Sequence, residues 1–408
     1  MSKPTTLSIG LILLSASVGT AQPSQDLFHR PVAVVIDPSQ HFLHVANRDT
    51  GTITTLDLAH STAKDPTESP SFGTTLKDMV RIPKSDSSIA VFESPNTACV
   101  IQSLDGQVSL RSKSELHITP ERIAVAGDGK TACITDRWNT SVVLLTLENG
   151  SIAQTTALQL PLFPKEVIAM EGGFLVADSF DGIIAVIKSP VKSPATSIGQ
   201  PSVDVHRFRG HHIGGMWIDD ARQELFVTHQ VLSKTAHTTQ EDIMWGSLMQ
   251  NVVRSVPLSL LSDANPNLDS VSKLHFLGDF GSGEADPSGL VTRSGDLLVA
   301  AAGANHLVRR SMSSPAKQVL NVASHPTKLA MLGDSKLVVM CSLSNMVQIV
   351  ELNSFAIETS YGKPPEFPST KLAGEIAFHD ASLSHDRWMS CNSCHIDGHA
   401  QPIGRYLR

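Results

Sequence analysis

Pro31-Val32-Ala33-Val34-Val35-Ile36-Asp37, Phe42-Leu43-His44-Val45-Ala46-Asn47 and Thr52-Ile53-Thr54-Thr55-Leu56-Asp57-Leu58 follow one another with only short turns between them. Each is a brief run rich in Val, Ile, Leu and Thr, and Asp, Ser, Gly and Asn fill the gaps. Runs of that length bounded by turn formers read as β-strands. The same three-part unit returns as Pro120-Glu121-Arg122-Ile123-Ala124-Val125, Ala132-Cys133-Ile134-Thr135-Asp136 and Ser141-Val142-Val143-Leu144-Leu145. It returns again from Pro164, through Phe174-Leu175-Val176-Ala177-Asp178, to Ile183-Ile184-Ala185-Val186-Ile187. A further copy starts at Pro326 and contains Lys336-Leu337-Val338-Val339-Met340-Cys341 and Met346-Val347-Gln348-Ile349-Val350. Weaker copies begin near Leu76, Gly214 and Pro287.

Pro120 and Pro164 stand 44 residues apart, and Pro287 and Pro326 stand 39 apart. A period of roughly 40–50 residues built from short strands signals a β-propeller, one four-stranded blade per repeat. Helical solenoids share the period, but their apolar residues recur at i, i+3 and i+4, which these runs do not. A single blade is too small to bury both of its faces, and a closed ring of blades removes that problem. The expected fold is all-β: a propeller over 27–355 with seven blades, six or eight being the neighbouring counts. The fifth unit carries an insertion between about Leu232 and Leu277.

The formal net charge is -7 and the pI about 6.2, with no basic run, so no nucleic-acid partner is expected. Lys3, the apolar run Leu7–Val18 and the small residues Gly19, Thr20 and Ala21 read as a secretory signal peptide over 1–21. Cleavage is expected after Ala21, which places the mature chain in a periplasm or another exported location without a membrane span. An uncleaved N-terminal anchor is the other reading. Cys99, Cys133 and Cys341 sit in apolar, strand-like contexts and read as buried small hydrophobes, not as disulfide partners.

Near the C-terminus stands Cys391-Asn392-Ser393-Cys394-His395. Two thiols three positions apart with an adjacent histidine form the attachment pattern of a c-type haem. Each sulfur can add to one vinyl group, and the neighbouring imidazole is placed to ligate the iron. The pentapeptide alone also fits half a zinc site, a redox-active CxxC or a surface disulfide. Zinc usually needs a full Cys/His quartet, and a thioredoxin-type motif belongs beside a βαβ pattern that is not visible here.

The repeat region resembles the YVTN-type, WD40-like propellers of exported bacterial proteins, on signatures such as Val45-Ala46-Asn47 followed by Gly51-Thr52-Ile53-Thr54-Thr55-Leu56-Asp57. The stretch from Gly374 through Phe378, Asp380, Leu383-Ser384 and Ser390-Cys391 to His395 resembles the first haem segment of the di-haem cytochrome c peroxidase and MauG-like family. The resemblance implies haem c as cofactor at one site. Cys391 and Cys394 then carry the thioethers, and His395 is the proximal ligand and iron-binding residue. That family's region is longer and holds a second haem motif. Here the expectation is a linker over 356–371 and a partial, truncated α-helical cytochrome c-like segment over 372–408. Such a segment is too short to wrap a haem by itself. Whether the chain is an oxidoreductase is therefore left open, and no catalytic residue is assigned.

Further candidates are His379, His385 and His399 as distal ligands, each also readable as a loop histidine. Met389 is too close to the attachment point to reach the far face easily. His211-His212, His229 and His237 form a second cluster, readable as zinc or copper ligands or as solvent-facing loop residues. Asp286 and Asp296 read first as turn residues and only remotely as metal ligands. Trp388 reads as core packing, or as a residue stacked on a porphyrin. Three functions follow. The first is an exported haem c protein with an electron-transfer or peroxidase-like role, its propeller docking a periplasmic electron donor, acceptor or other protein partner. The second is a propeller interaction module with a degenerate cytochrome remnant. The third is a propeller lactonase, for which no compelling constellation is visible.

Overall fold

Each three-run unit gains a fourth strand in the computed structural model, which describes residues 26–59, 66–188, 201–233, 235–237, 239–262 and 268–399. The expected leader over 1–21, with its cleavage point, lies outside these residues. In blade 1, Pro31–Ile36, Phe42–Asn47, Ile53–Asp57 and Thr67–Glu68 pair antiparallel in sequence order. Blade 2 spans 74–115, blade 3 120–159, blade 6 287–321 and blade 7 326–362, each with the same simple strand order.

Blades 4 and 5 are fused into one seven-stranded sheet by the long strand Ser202–Asp219. Its first half pairs with Asp181–Lys188 as the outer strand of blade 4. Its second half pairs with Glu224–Leu232 as the inner strand of blade 5, after a register shift between His211 and Gly215. His212 sits in that shift with φ 49. A bulge there turns one strand from the rim of one blade into the hub of the next. The described residues therefore form seven blades.

The innermost strands touch their neighbours all the way round, and Pro31–Ile36 meets both Thr74–Arg81 and Pro326–Leu332. The ring is closed. Its apolar core is divided between the blades. Seven buried clusters occur among the described residues, one at every blade–blade interface. The seam between the last and first blades is filled by Phe28, Leu43, Val45, Leu56, Val338, Met340 and Val347. Cys99, Cys133 and Cys341 are buried free thiols on blades 2, 3 and 7.

Two boundaries differ from expectation. Ala356–Gly362 pairs with Met346–Glu351 as the outermost strand of blade 7, so the ring runs into the stretch read as a linker. Its alternating exposed and half-buried residues lack an apolar run. The stretch read as an insertion in the fifth unit holds two strands of blade 5 itself, Met249–Pro257 and Lys273–Phe276. Arg254 interrupts the apolar pattern of the first of these, yet it is fully buried. Its guanidinium lies 4.6 Å over Phe208, donates to His229 Nε2 at 3.2 Å and pairs with Asp269 at 3.1 Å. The true additions to the blade among the described residues are the helix Gln240–Met244 and the single helical turns Leu258–Leu261 and Leu268–Val271.

Beyond the ring, the helical content is small. Helix Thr370–His379, a one-turn helix Cys391–Cys394 and three 3-10 turns make up the described C-terminal segment. No residue of Thr370–His379 is buried. The segment lies on the propeller and has no core of its own. No helix among the described residues is long and apolar enough to cross a membrane.

Candidate functional site

The C-terminal segment crosses the end of the ring at which the innermost strands begin. Glu375 pairs with Arg30 of blade 1, Ala381 N–H donates to Gly303 O at 2.9 Å, and Gly283 N–H donates to Asp386 O at 2.6 Å. Arg387 donates to His306 Nε2 at 3.1 Å, leaving Nδ1–H to donate to Glu284 at 2.7 Å. Burial opposes the charge on Glu284, but the His306 hydrogen bond prevails and holds its carboxyl below the usual range.

Trp388 then turns inward and is 5% exposed. A glycine socket receives it. A Cβ on Gly246, Gly278 or Gly283 would stand 2.3, 2.4 or 2.3 Å from an atom of Trp388. A larger residue at Gly246 or Gly278 would force the indole out, and one at Gly283 would displace the Trp388 backbone. Asn251 Nδ2 donates to Trp388 O at 3.0 Å and to Gly283 O at 2.8 Å. Trp388 is thus an anchor between the segment and blades 5 and 6.

The Cys391–Cys394 turn follows, capped by reciprocal Ser390 and Ser393 hydrogen bonds. Its two sides face different environments. Asn392, Ser393 and Ile396 are buried against the propeller, whereas Cys391 and His395 are exposed and Cys394 is half-buried. Positions i and i+3 share a helix face, so Cys391 and Cys394 lie on one side of the turn, Cys391 open to solvent and Cys394 only partly so, and His395 follows, exposed, at the C-cap. The buried side is fastened by Asp286. Its carboxylate accepts from Ser390 Oγ and Ser393 Oγ, and from Gln230 Nε2 at 3.1 Å. Asn392 Nδ2 lies 3.4 Å from His212 Nε2, and Asp397 pairs with Lys165 at 2.8 Å. Burial pushes the Asp286 carboxyl up, against the pull of the two serines. Burial also raises the Cys394 thiol, with Asp286 and Cys391 adding to it.

Asp286 does have a turn conformation, with φ 52. Nothing local in the sequence marks its anchoring role, because the two serines it holds lie more than a hundred residues away. Asp296 opens a strand after Gly295 and sits 3.7 Å from Arg309, as a turn residue. The histidine cluster is not assembled. His211, His212 and His229 are buried, whereas His237 is exposed on the blade 5 addition. Burial lowers His211 to about 3, His212 to about 4 and His229 to about 3. These are not the solvent-facing loop histidines expected. Among the described residues, no three His, Cys, Asp or Glu side chains are grouped to hold a metal.

The three distal candidates also separate. His379 packs on His325 with ring centroids 4.4 Å apart, and His399 packs edge-on against Phe180 at 5.1 Å and Trp138 at 5.6 Å. Both are tied to propeller side chains. His385 is exposed beside Asp386 at 2.8 Å. Met389 is half-buried.

No protein-family model matches the sequence, and no curated protein matches it either. Solved structures do match. Hydrazine synthase of Kuenenia stuttgartiensis aligns with 84% of this chain and 99% of its own, at 14% identity and a TM-score of 0.59. The β-propeller domain of Myceliophteria thermophila Cps50 (Swd1) aligns with 79% of this chain and 97% of its own, at 10% identity and TM-score 0.54. The dihydro-heme d1 dehydrogenase NirN aligns with 82% of this chain and 76% of its own, at 9% identity and TM-score 0.50. At these identities the likeness is one of fold, and the fold is a β-propeller.

Proposed function

We propose that this chain is an exported c-type haem protein with an electron-transfer or peroxidase-like redox role, in which the propeller is the platform that presents the haem. The observation that carries the reading is the two-sided turn Cys391–Cys394. Cys391 and His395 are exposed and Cys394 is half-buried on one side, while Ser390, Ser393 and Asn392 are fastened to the propeller on the other. The donor set fits haem c. Cys391 and Cys394 would hold the porphyrin through thioethers, and His395 would ligate the iron. Haem supplies one-electron chemistry when bound. This chain's residues supply the fixed attachment. Trp388 and Asp286 position the turn, and the exposed side leaves the motif open to a protein partner.

The fold likeness to a hydrazine synthase and to a dihydro-heme d1 dehydrogenase adds modest support, since the latter's name ties a propeller to haem chemistry. The test is expression in cells competent for cytochrome maturation. The intact mass should exceed that of the polypeptide by one haem, and a haem stain should survive a denaturing gel. Cys391→Ala with Cys394→Ala should abolish both signals. A wild-type mass equal to that of the amino acids alone would overturn the proposal.

A further inference from the structure

Beneath the C-terminal segment the hub of the ring encloses a cavity of about 410 Å³. Its wall comes from the first residues of the innermost strands, and its roof from Glu375, Phe378, His379, Asn392 and Asp397. The volume falls in the range of about 300–1,000 Å³ typical of small-molecule sites.

The polar groups around it are not evenly satisfied. The carboxylates are engaged. Glu121 meets Lys77 at 2.7 Å and Arg137 at 3.1 Å, Glu166 accepts from Arg122 at 3.0 Å, and Asp397 pairs with Lys165 at 2.8 Å. Asp286 is taken by the serines of the roof. The donors outnumber the carboxylates: seven lysines and arginines line the cavity against five carboxylates, and Glu375 of the roof is taken by Arg30 Nη2. Lys328 Nζ comes no closer to a carboxylate than 3.8 Å, from Glu166, and Arg48 no closer than 3.8 Å, from Glu375. Those separations exceed hydrogen-bond length. Arg30 Nε and His379 Nδ1 are buried with no hydrogen-bond partner. Arg30 and Arg48 belong to blade 1 and Lys328 to the adjacent blade 7, so these donors form one side of the cavity.

We propose that this cavity binds a small dianion carrying carboxylate or phosphate groups, held by Lys328, Arg48, Arg30 and His379. A cation would meet a wall whose carboxylates are already used, and a neutral ligand would leave the excess of lysines and arginines on that wall uncompensated in a partly desolvated space. Guanidinium and ammonium donors in such a space make short, strong bonds to anionic oxygens. Neither Cys391 nor Cys394 lines the cavity, and the proposal does not rest on haem attachment.

The experiment is isothermal titration of the full chain with succinate and, separately, with inorganic phosphate, at neutral pH and fixed ionic strength. A saturable one-to-one heat is expected with at least one of them, weakened roughly tenfold or more in Lys328→Gln and in Arg48→Gln. Lys336→Gln should bind as wild type, because that side chain is paired with Glu358 at 2.7 Å on the outer part of blade 7. Succinate alone saturating assigns a dicarboxylate, phosphate alone assigns a phosphate-bearing ligand, and both assign a general dianion site. Dilution heats only, or unchanged affinity in both variants, would overturn the proposal. Circular dichroism of each variant separates lost binding from lost fold, and the half-exposed Arg48 serves if Lys328→Gln does not fold.

Discussion

The seam that closes the ring and the segment that crosses its mouth are both attachments between distant parts of the chain, and they are built differently. The seam between blades 7 and 1 is apolar. Phe28 is 0% exposed there and packs with residues of both blades. The segment from Thr370 to His399 is attached through one indole in a glycine socket, a carboxylate holding two serines, and ion pairs at its edges. Apolar burial scales with area and is non-directional, so it suits a seam repeated at every blade. Hydrogen bonds to one carboxylate specify position more than they add stability, which suits a segment set across the mouth of the ring at one place. The ring should therefore unfold as one unit, and the segment should release alone.

The largest expected effects come from removing one aromatic from each attachment. Phe28→Ala and Trp388→Ala delete buried rings, a change that typically costs about 3–5 kcal/mol. Phe28→Ala should lower the unfolding free energy of the whole ring by that amount and move its denaturation midpoint accordingly. Trp388→Ala should leave the ring's midpoint almost unchanged and strip hydrogen-exchange protection from residues 370–399. If Trp388→Ala also unfolds the ring, the two attachments are one cooperative unit and the contrast fails. Gly283→Ala should mimic Trp388→Ala, because the new Cβ would occupy the space of the Trp388 backbone.

A smaller effect is expected from Asp286→Ala. It leaves the Ser390 and Ser393 hydroxyls without their acceptor, at a cost of about 1–3 kcal/mol in docking, while Gln230 Nε2 keeps Asn251 Oδ1 at 2.9 Å. Hydrogen exchange over Ser390–His395 should accelerate. Under the proposed function, the yield of covalent haem should fall while the circular dichroism of the ring stays the same. Unchanged exchange in that turn would show that Asp286 does not hold it.

The parts of this architecture differ in how plainly they are written in the residues. The inner three strands of each blade are legible because they are buried between neighbours and must be apolar, as Leu43, Val45, Ile134 and Val339 are. The outermost strands are not. Gln107–Glu115 is almost wholly exposed or half-exposed, so its residues are free to be polar and resemble a loop. Blade 5 is obscured for another reason. Arg254 breaks an apolar strand, and only its distant partners Phe208, His229 and Asp269 explain why it is there. At the candidate site, the spacing of Cys391, Cys394 and His395 is visible locally. The glycines that seat Trp388 and the aspartate that holds the turn are scattered across blades 5 and 6, and nothing local marks them.

The smallest effect, and the one with a definite sign, is the pH dependence of docking. Burial opposes the charge on Asp397, but Lys165 at 2.8 Å outweighs it and holds the carboxyl below its ordinary 3.8. Burial likewise opposes Glu375, and Arg30 holds that carboxyl below its ordinary 4.5. A carboxyl depressed in the docked state contributes stability that is complete above its ordinary value and is lost as pH falls through the depressed one. Asp286 runs the other way. Its carboxyl is raised above 3.8, so its protonation on acidification favours the docked state. Protection of residues 370–399, measured by pulsed hydrogen exchange, should therefore be flat near neutrality and decline as pH falls below the ordinary value of Glu375. Asp397 is 36% exposed, and a pair that open to solvent is screened, so Lys165→Gln should cost no more than about 1 kcal/mol at pH 7. In Asp397→Asn with Glu375→Gln the decline should vanish, leaving the Asp286 contribution and a segment whose protection rises slightly on acidification. A decline that persists in the double variant would place the acid-sensitive contacts elsewhere, and the ion pairs at the segment's edges would then be ornaments on a dock held by Trp388 and Asp286.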